Sequence, residues 1–92
     1  MKLDANHAAI VRDLRMAGCT VVDLSKVGGG CPDLLVGRGR STYLLEVKSP
    51  ERARYARASE RRQAEWRAAW RGGPVAVVTD LRQALLAVGA AH

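Results

Sequence analysis

Gly30-Cys31-Pro32-Asp33-Leu34-Leu35-Val36-Gly37, then Arg38-Gly39-Arg40-Ser41-Thr42, then Tyr43-Leu44-Leu45-Glu46-Val47-Lys48: this run reads as a β-hairpin with polar residues at its open end. Leu34, Leu35 and Val36 on one side, and Tyr43, Leu44, Leu45 and Val47 on the other, are strand formers, while Gly37, Gly39 and Ser41 supply turn chemistry. Register decides where the polar ends go. With Gly39-Arg40 as a two-residue loop, Arg38 lies opposite Ser41, Leu35 opposite Leu44 and Asp33 opposite Glu46. Directly opposed side chains share a face, with Cβ atoms roughly 4.5–5.5 Å apart, and Lys48, two residues past Glu46, points the same way. A loop longer by two residues would keep the faces and stagger the pair, whereas an odd loop or a bulge would change the facing.

Two carboxylates that close repel, and one takes up a proton unless a cation intervenes. Mg²⁺ is a hard cation held by one or two carboxylates together with waters and substrate phosphate. A lysine beside it can orient a water or stabilise charge building on a phosphate. The combination suits hydrolysis of phosphodiesters. Singly, Glu46 and Lys48 also read as an exposed ion pair, and Asp33 as a strand-entry residue after Pro32.

Pro32-Asp33, followed after twelve residues by Glu46-Val47-Lys48, resembles the signature of the PD-(D/E)XK nucleases. The Gly30 to Val36 context, with Leu44-Leu45-Glu46-Val47-Lys48 and a downstream Gln63, resembles the virus-type replication-repair nuclease (VRR-NUC) branch, whose stand-alone members are phage and bacterial proteins of about this length. The resemblance covers nearly the whole chain and implies a Mg²⁺- or Mn²⁺-dependent endodeoxyribonuclease. Asp33, Glu46 and the Val47 backbone carbonyl would hold the metal, Lys48 would assist the water or the transition state, and Gln63 would border the site. It also implies branched DNA such as four-way junctions as substrate, cut by a homodimer. Many relatives carry an acidic residue in the first helix near the segment that here reads Asp4-Ala5-Asn6-His7. His7 is the possible contributor at that place, although imidazole matches Mg²⁺ poorly, so this departure predicts activity that is weakened, altered in metal preference or absent. Two rival readings remain: a DNA-binding module that keeps the fold and cuts nothing, and a subunit that acts only with a partner protein.

The chain has 92 residues, enough for one domain spanning residues 1–92. It carries 15 Lys+Arg against 9 Asp+Glu, a formal charge of +6, which suits a polyanionic partner. Seven arginines fall between Arg52 and Arg71; Arg52, Arg54, Arg57, Arg61 and Arg62 are the candidate DNA contacts, with a solvated helix face as the alternative. No strongly apolar face accompanies the charge, so nucleic acid is favoured over a membrane. Cys19 and Cys31 lack metal or disulfide spacing and read as small, partly buried residues in a reducing compartment. Nothing resembles a signal peptide or a membrane span, which places the protein in the cytoplasm of a bacterium or infected host. No organic cofactor is indicated. The two histidines do not furnish an HNH-type or metallophosphatase site, and no Ser/His/Asp triad can be assembled.

In order along the chain, Ala9, Ile10, Leu14 and Ala17 recur at helical spacing over 4–17, with Asp4 or Asn6 as N-cap and Gly18 as the stop. Residues 19–24 read as a strand and 25–30 as a flexible loop. The three glycines at 28–30 lack the context of a phosphate loop and are expected to make a turn or let the backbone approach something closely. Residues 51–58 read as a basic, mobile connection. A helix follows over 59–71, capped by Ser59 and stopped by Gly72-Gly73-Pro74, with Gln63, Trp66 and Trp70 on one buried face. Residues 75–79 read as a buried strand, and Asp80 caps a last helix to about Val88, with Gln83 in capping-box position. The expected fold is therefore α/β: a mixed four-stranded sheet flanked by helices in the order α-β-β-β-α-β-α, a PD-(D/E)XK (restriction-endonuclease-like) core with a parallel crossover through the second helix.

Overall fold

A computed structural model describes residues 5–49 and 57–90 of the chain. Its elements are α1 (Ala5–Met16), β1 (Thr20–Asp23), β2 (Leu34–Arg38), β3 (Ser41–Val47), α2 (Arg57–Ala69), β4 (Val75–Val78) and α3 (Leu81–Ala87). The four strands form one sheet in the spatial order β1-β2-β3-β4. β1, β2 and β3 are an antiparallel meander, and β4 joins β3 in parallel. The expected mixed four-stranded sheet flanked by helices, and the element order α-β-β-β-α-β-α, are thus present.

The hairpin takes the two-residue register. Arg38 pairs with Ser41, Leu35 with Leu44 and Leu34 with Leu45. Gly39 and Arg40 both adopt positive φ, 55° and 71°, as a type I′ turn requires, and that turn matches the right-handed twist of the flanking strands. A non-glycine residue at φ 71° is unusual; here the tight turn imposes it on Arg40.

Alternation along the strands splits the sheet into unequal faces. Val21, Leu34, Val36, Leu45 and Val78 are buried on one face with Ile10, Val11 and Leu14 of α1, and with Ala84 and Val88 at α3. Burying side chains of this size stabilises by roughly 1.5–3 kcal/mol each. On α1 the buried stripe is His7, Ile10, Val11 and Leu14, at i, i+3, i+4 and i+7. It is rotated from the expected one: Ala17 is exposed, and Ala9 is only partly covered. Asn6 lies inside α1, which opens at Ala5, and its Nδ2 donates to Thr79 O at 2.9 Å; Asp4 lies outside the described residues. α1 ends at Gly18, whose φ of 92° suits a left-handed helix stop.

The opposite face carries Val22, Leu35 and Leu44 in one cross-strand row, continued by Val75 on β4. α2 lies on this side, yet none of its residues from Ser59 to Ala69 is buried. Two expectations are corrected here. Trp66 is partly buried and Trp70 is 44% exposed, so neither belongs to the core; the indoles stack on each other, with centroids 4.9 Å apart and planes 18° from parallel. β4 is an edge strand with Val77 47% exposed, because only its α1/α3 side is covered. Ser59 lies inside α2, which opens at Arg57, and the expected mobile connection falls largely on residues 51–56, outside those described. α3 starts as expected: Asp80 Oδ1 accepts from Gln83 N at 2.8 Å. Gln83 Oε1 reaches back one residue further than a capping box requires, accepting from Thr79 N at 2.8 Å.

Candidate active site

The open end of the hairpin gathers four of the expected residues. One step beyond the Leu34–Leu45 pair, the same register sets Asp33 against Glu46. Asp33 Oδ2 accepts from the backbone N–H of Val47 at 2.9 Å, which holds the carboxylate across the mouth of the hairpin. Lys48 follows β3, and its backbone N–H donates to Val78 O at 2.8 Å, so β4 steadies the strand end that carries it. From α2, Gln63 reaches both partners: its Nε2 donates to Glu46 Oε2 at 2.7 Å, and its Oε1 accepts from Lys48 Nζ. The amide spans the glutamate and the lysine, each end matched to the group it meets.

Glu46 is only 2% exposed. Burial, and then the neighbouring Asp33 carboxyl, push its pKa up to about 8, against the opposing pull of the Lys48 and Arg67 cations. A buried carboxyl beside another is the situation in which charge is expelled by protonation or matched by a cation. The exposed ion-pair alternative for Glu46 and Lys48 therefore does not describe this pair. Asp33 Oδ2 and Glu46 Oε2 are engaged by protein donors, and the two carboxyls also hydrogen-bond to each other, which favours the protonated form of Glu46.

The glycine loop gives Gln63 its position. Gly30 has φ +85°, and a Cβ built there would lie 2.2 Å from the carbonyl oxygen of Arg62 and 3.0 Å from Gln63 N. The backbone at Gly30 thus sits directly against the turn of α2 that presents Gln63. This is the close approach anticipated for the triple glycine, and its partner is the protein's own helix. Cys31, next in the chain, is a partly buried free thiol, which burial and the Glu46 and Asp33 carboxylates push up in pKa.

Not all expected residues converge. His7 is buried, with Nε2 3.9 Å from Asp23 Oδ1 and no hydrogen-bond partner for that atom. Asp23 pairs with Leu34, so its side chain shares the α1-covered face, away from the one that alternation assigns to Asp33 and Glu46. Among the described residues no group of three or more His, Cys, Asp and Glu side chains comes together in a metal-holding arrangement. Of the candidate DNA contacts, Arg61 and Arg62 are exposed on α2, Arg57 begins that helix, and Arg52 and Arg54 lie outside the described residues. Arg67 was missed by the sequence reading. It is partly buried and its charge acts on Glu46. Its spacing of four from Gln63, one turn along the same helix face, was the available signal.

Fold and site together define a class: a small α/β protein whose hairpin mouth holds two carboxylates, bracketed by a lysine and a glutamine. Comparison with protein-family models, with curated proteins and with solved structures returns no match.

Proposed function

We propose that the protein is a metal-dependent endodeoxyribonuclease with a PD-(D/E)XK core of the VRR-NUC type. The observation that carries this reading is the buried Glu46 carboxyl facing Asp33, its remaining sides taken by Gln63 and, through Gln63, Lys48. The donor set fits a hard dication: two carboxyls, with the Val47 carbonyl adjacent in sequence, and a buried acid that burial and the neighbouring Asp33 carboxyl raise to about 8. Asp33, Glu46 and the Val47 carbonyl would hold Mg²⁺ or Mn²⁺, which would supply Lewis-acid chemistry toward the phosphoryl group and the attacking water. Val47 N fixes Asp33 and Gln63 fixes Glu46, so the two carboxyls are held facing each other. Lys48 offers its ammonium protons to the attacking water or to the charge growing on the phosphoryl oxygens, and Gln63 Oε1 fixes the direction of that ammonium. Arg67 lends a second cation on the α2 side. A water oxygen bonds to phosphorus as one P–O ester bond breaks, and the departing oxygen takes a proton.

The resemblance adds branched DNA, such as four-way junctions, and a two-fold homodimer with one site per strand. A cytoplasmic setting goes with this reading.

The deciding experiment is cleavage of a labelled four-way junction and a matched linear duplex in Mg²⁺, Mn²⁺ or EDTA, comparing wild type with Asp33→Ala. Metal-dependent cutting that falls by about 10²–10³ or more in the variant is expected, by analogy with loss of other transition-state-stabilising groups, with DNA binding retained. Tight binding without cutting by wild type in either metal would select the DNA-binding module instead.

A further inference from the structure

We propose that the stacked Trp66–Trp70 pair on α2 is a platform for an unpaired nucleobase, so that a single-stranded stretch of DNA runs along α2 from the candidate active site. The proposal rests on the reading of DNA as the partner.

The two indoles form a rigid surface that the core does not use. Trp70 is 44% exposed, and its ring lies nearly parallel to that of Trp66. Trp70 Nε1 donates to Gly73 O at 2.9 Å. A Cβ on Gly72 would come within 2.7 Å of the indole, so the chain beyond α2 folds down against the ring. The orientation is thus held before any ligand arrives, which lowers the ordering cost of binding.

The surroundings select the ligand. Arg61, Arg62 and Arg71 are exposed on the same segment, and Arg67 stands between the indoles in sequence; a basic partner would meet like charge, and a purely apolar one would leave these cations unmatched. Arginines that track a phosphate backbone, interleaved with aromatic rings on which bases stack, are the chemistry of single-strand binding. A paired base offers no free face to an indole, because its neighbours in the duplex cover both. Trp66 and Trp70 lie three and seven residues past Gln63, roughly 4.5 and 10 Å along the helix axis, which is one to three nucleotides at the roughly 3.4 Å spacing of a stacked strand. A groove of about 610 Å³ lined by Leu35, Thr42, Leu44, Trp70 and Pro74 opens beside the stack and gives the displaced base room.

Trp66 and Trp70 are the only two tryptophans in the chain, so intrinsic fluorescence reports on the platform directly. The test titrates wild type, Trp70→Ala, Trp70→Phe and Asp33→Ala with oligo(dT) and with a blunt duplex, in EDTA so that nothing turns over. Quenching by oligo(dT) is expected in wild type and Asp33→Ala. Trp70→Ala should weaken oligo(dT) binding, followed by anisotropy of labelled DNA, by about 5- to 150-fold, with Trp70→Phe close to wild type and duplex affinity unchanged. Duplex binding without any oligo(dT) effect, or equal weakening of both DNAs by Trp70→Ala, overturns the platform. So does loss of self-association in Trp70→Ala with oligo(dT) binding intact, which would give the indoles to a second copy of the chain. Because no cutting is measured, an inactive protein that still shows the Trp70-dependent oligo(dT) effect overturns the nuclease reading alone.

Discussion

Glu46 shows how a single residue ties stability to function. In the folded chain it keeps its proton up to about 8, whereas an unhindered glutamate releases it near 4.5. Between those values the folded state binds more protons than the unfolded one, so stability of the metal-free protein falls as pH rises through that window and levels off above it. Thermal unfolding in EDTA across this range should show the decline, and Glu46→Gln should flatten it. Mg²⁺ should raise the melting temperature more on the alkaline side of the window than on the acid side, because there it no longer competes with the proton. A pH-independent response to Mg²⁺ would mean that the ion binds elsewhere. His7 is a contrasting residue: it is buried on α1 with its Nε2 3.9 Å from Asp23 Oδ1.

At the scale of elements, the arrangement depends on how α2 is seated. Among the described residues it contributes nothing to the main buried core, and near the site it is tied in through the Gln63 amide and the contact at Gly30. Gly30→Ala should therefore do two things. The left-handed φ and the clash with the Arg62 carbonyl should cost more than about 1 kcal/mol of stability, and the displaced helix should lift Gln63 from Glu46 and Lys48 and depress cleavage. Gly29→Ala, also at positive φ but facing open space, should lose stability while keeping most activity. Equal activity losses in the two variants, measured beside denaturant unfolding, would show that the loop acts through general destabilisation alone. The hairpin needs no such support: its two-residue turn sets the register.

Over the whole molecule, the core is one-sided. Ile10, Leu14, Leu34, Val36, Leu45, Val78 and Val88 fill the layer between the sheet and α1/α3, while Val22 and Val77 remain nearly half exposed. Leu34→Ala should cost about 2–5 kcal/mol in chemical denaturation, the range for a fully buried leucine, whereas Leu35→Ala on the open face should cost distinctly less. Similar losses at both positions would mean that the second face is covered in solution. No helix among the described residues is long and apolar enough to cross a membrane.

The hairpin, its turn and the meeting of Asp33 with Glu46 were legible because each follows from local rules: strand alternation has period two, and a Gly-Arg loop of two residues leaves one register. The capping of α3 by Asp80 was legible for the same reason. The Trp66–Trp70 stripe was misread because helical periodicity says which residues share a face and is silent on whether a second layer covers that face. Likewise the apolar run of β4 could not announce that it lies at an edge. Gln63 was anticipated at the site, but its bridge from Glu46 to Lys48, the docking of Gly30 on α2, the separation of His7 and the approach of Arg67 come from contacts between segments far apart in the chain, where distance in space is set by packing.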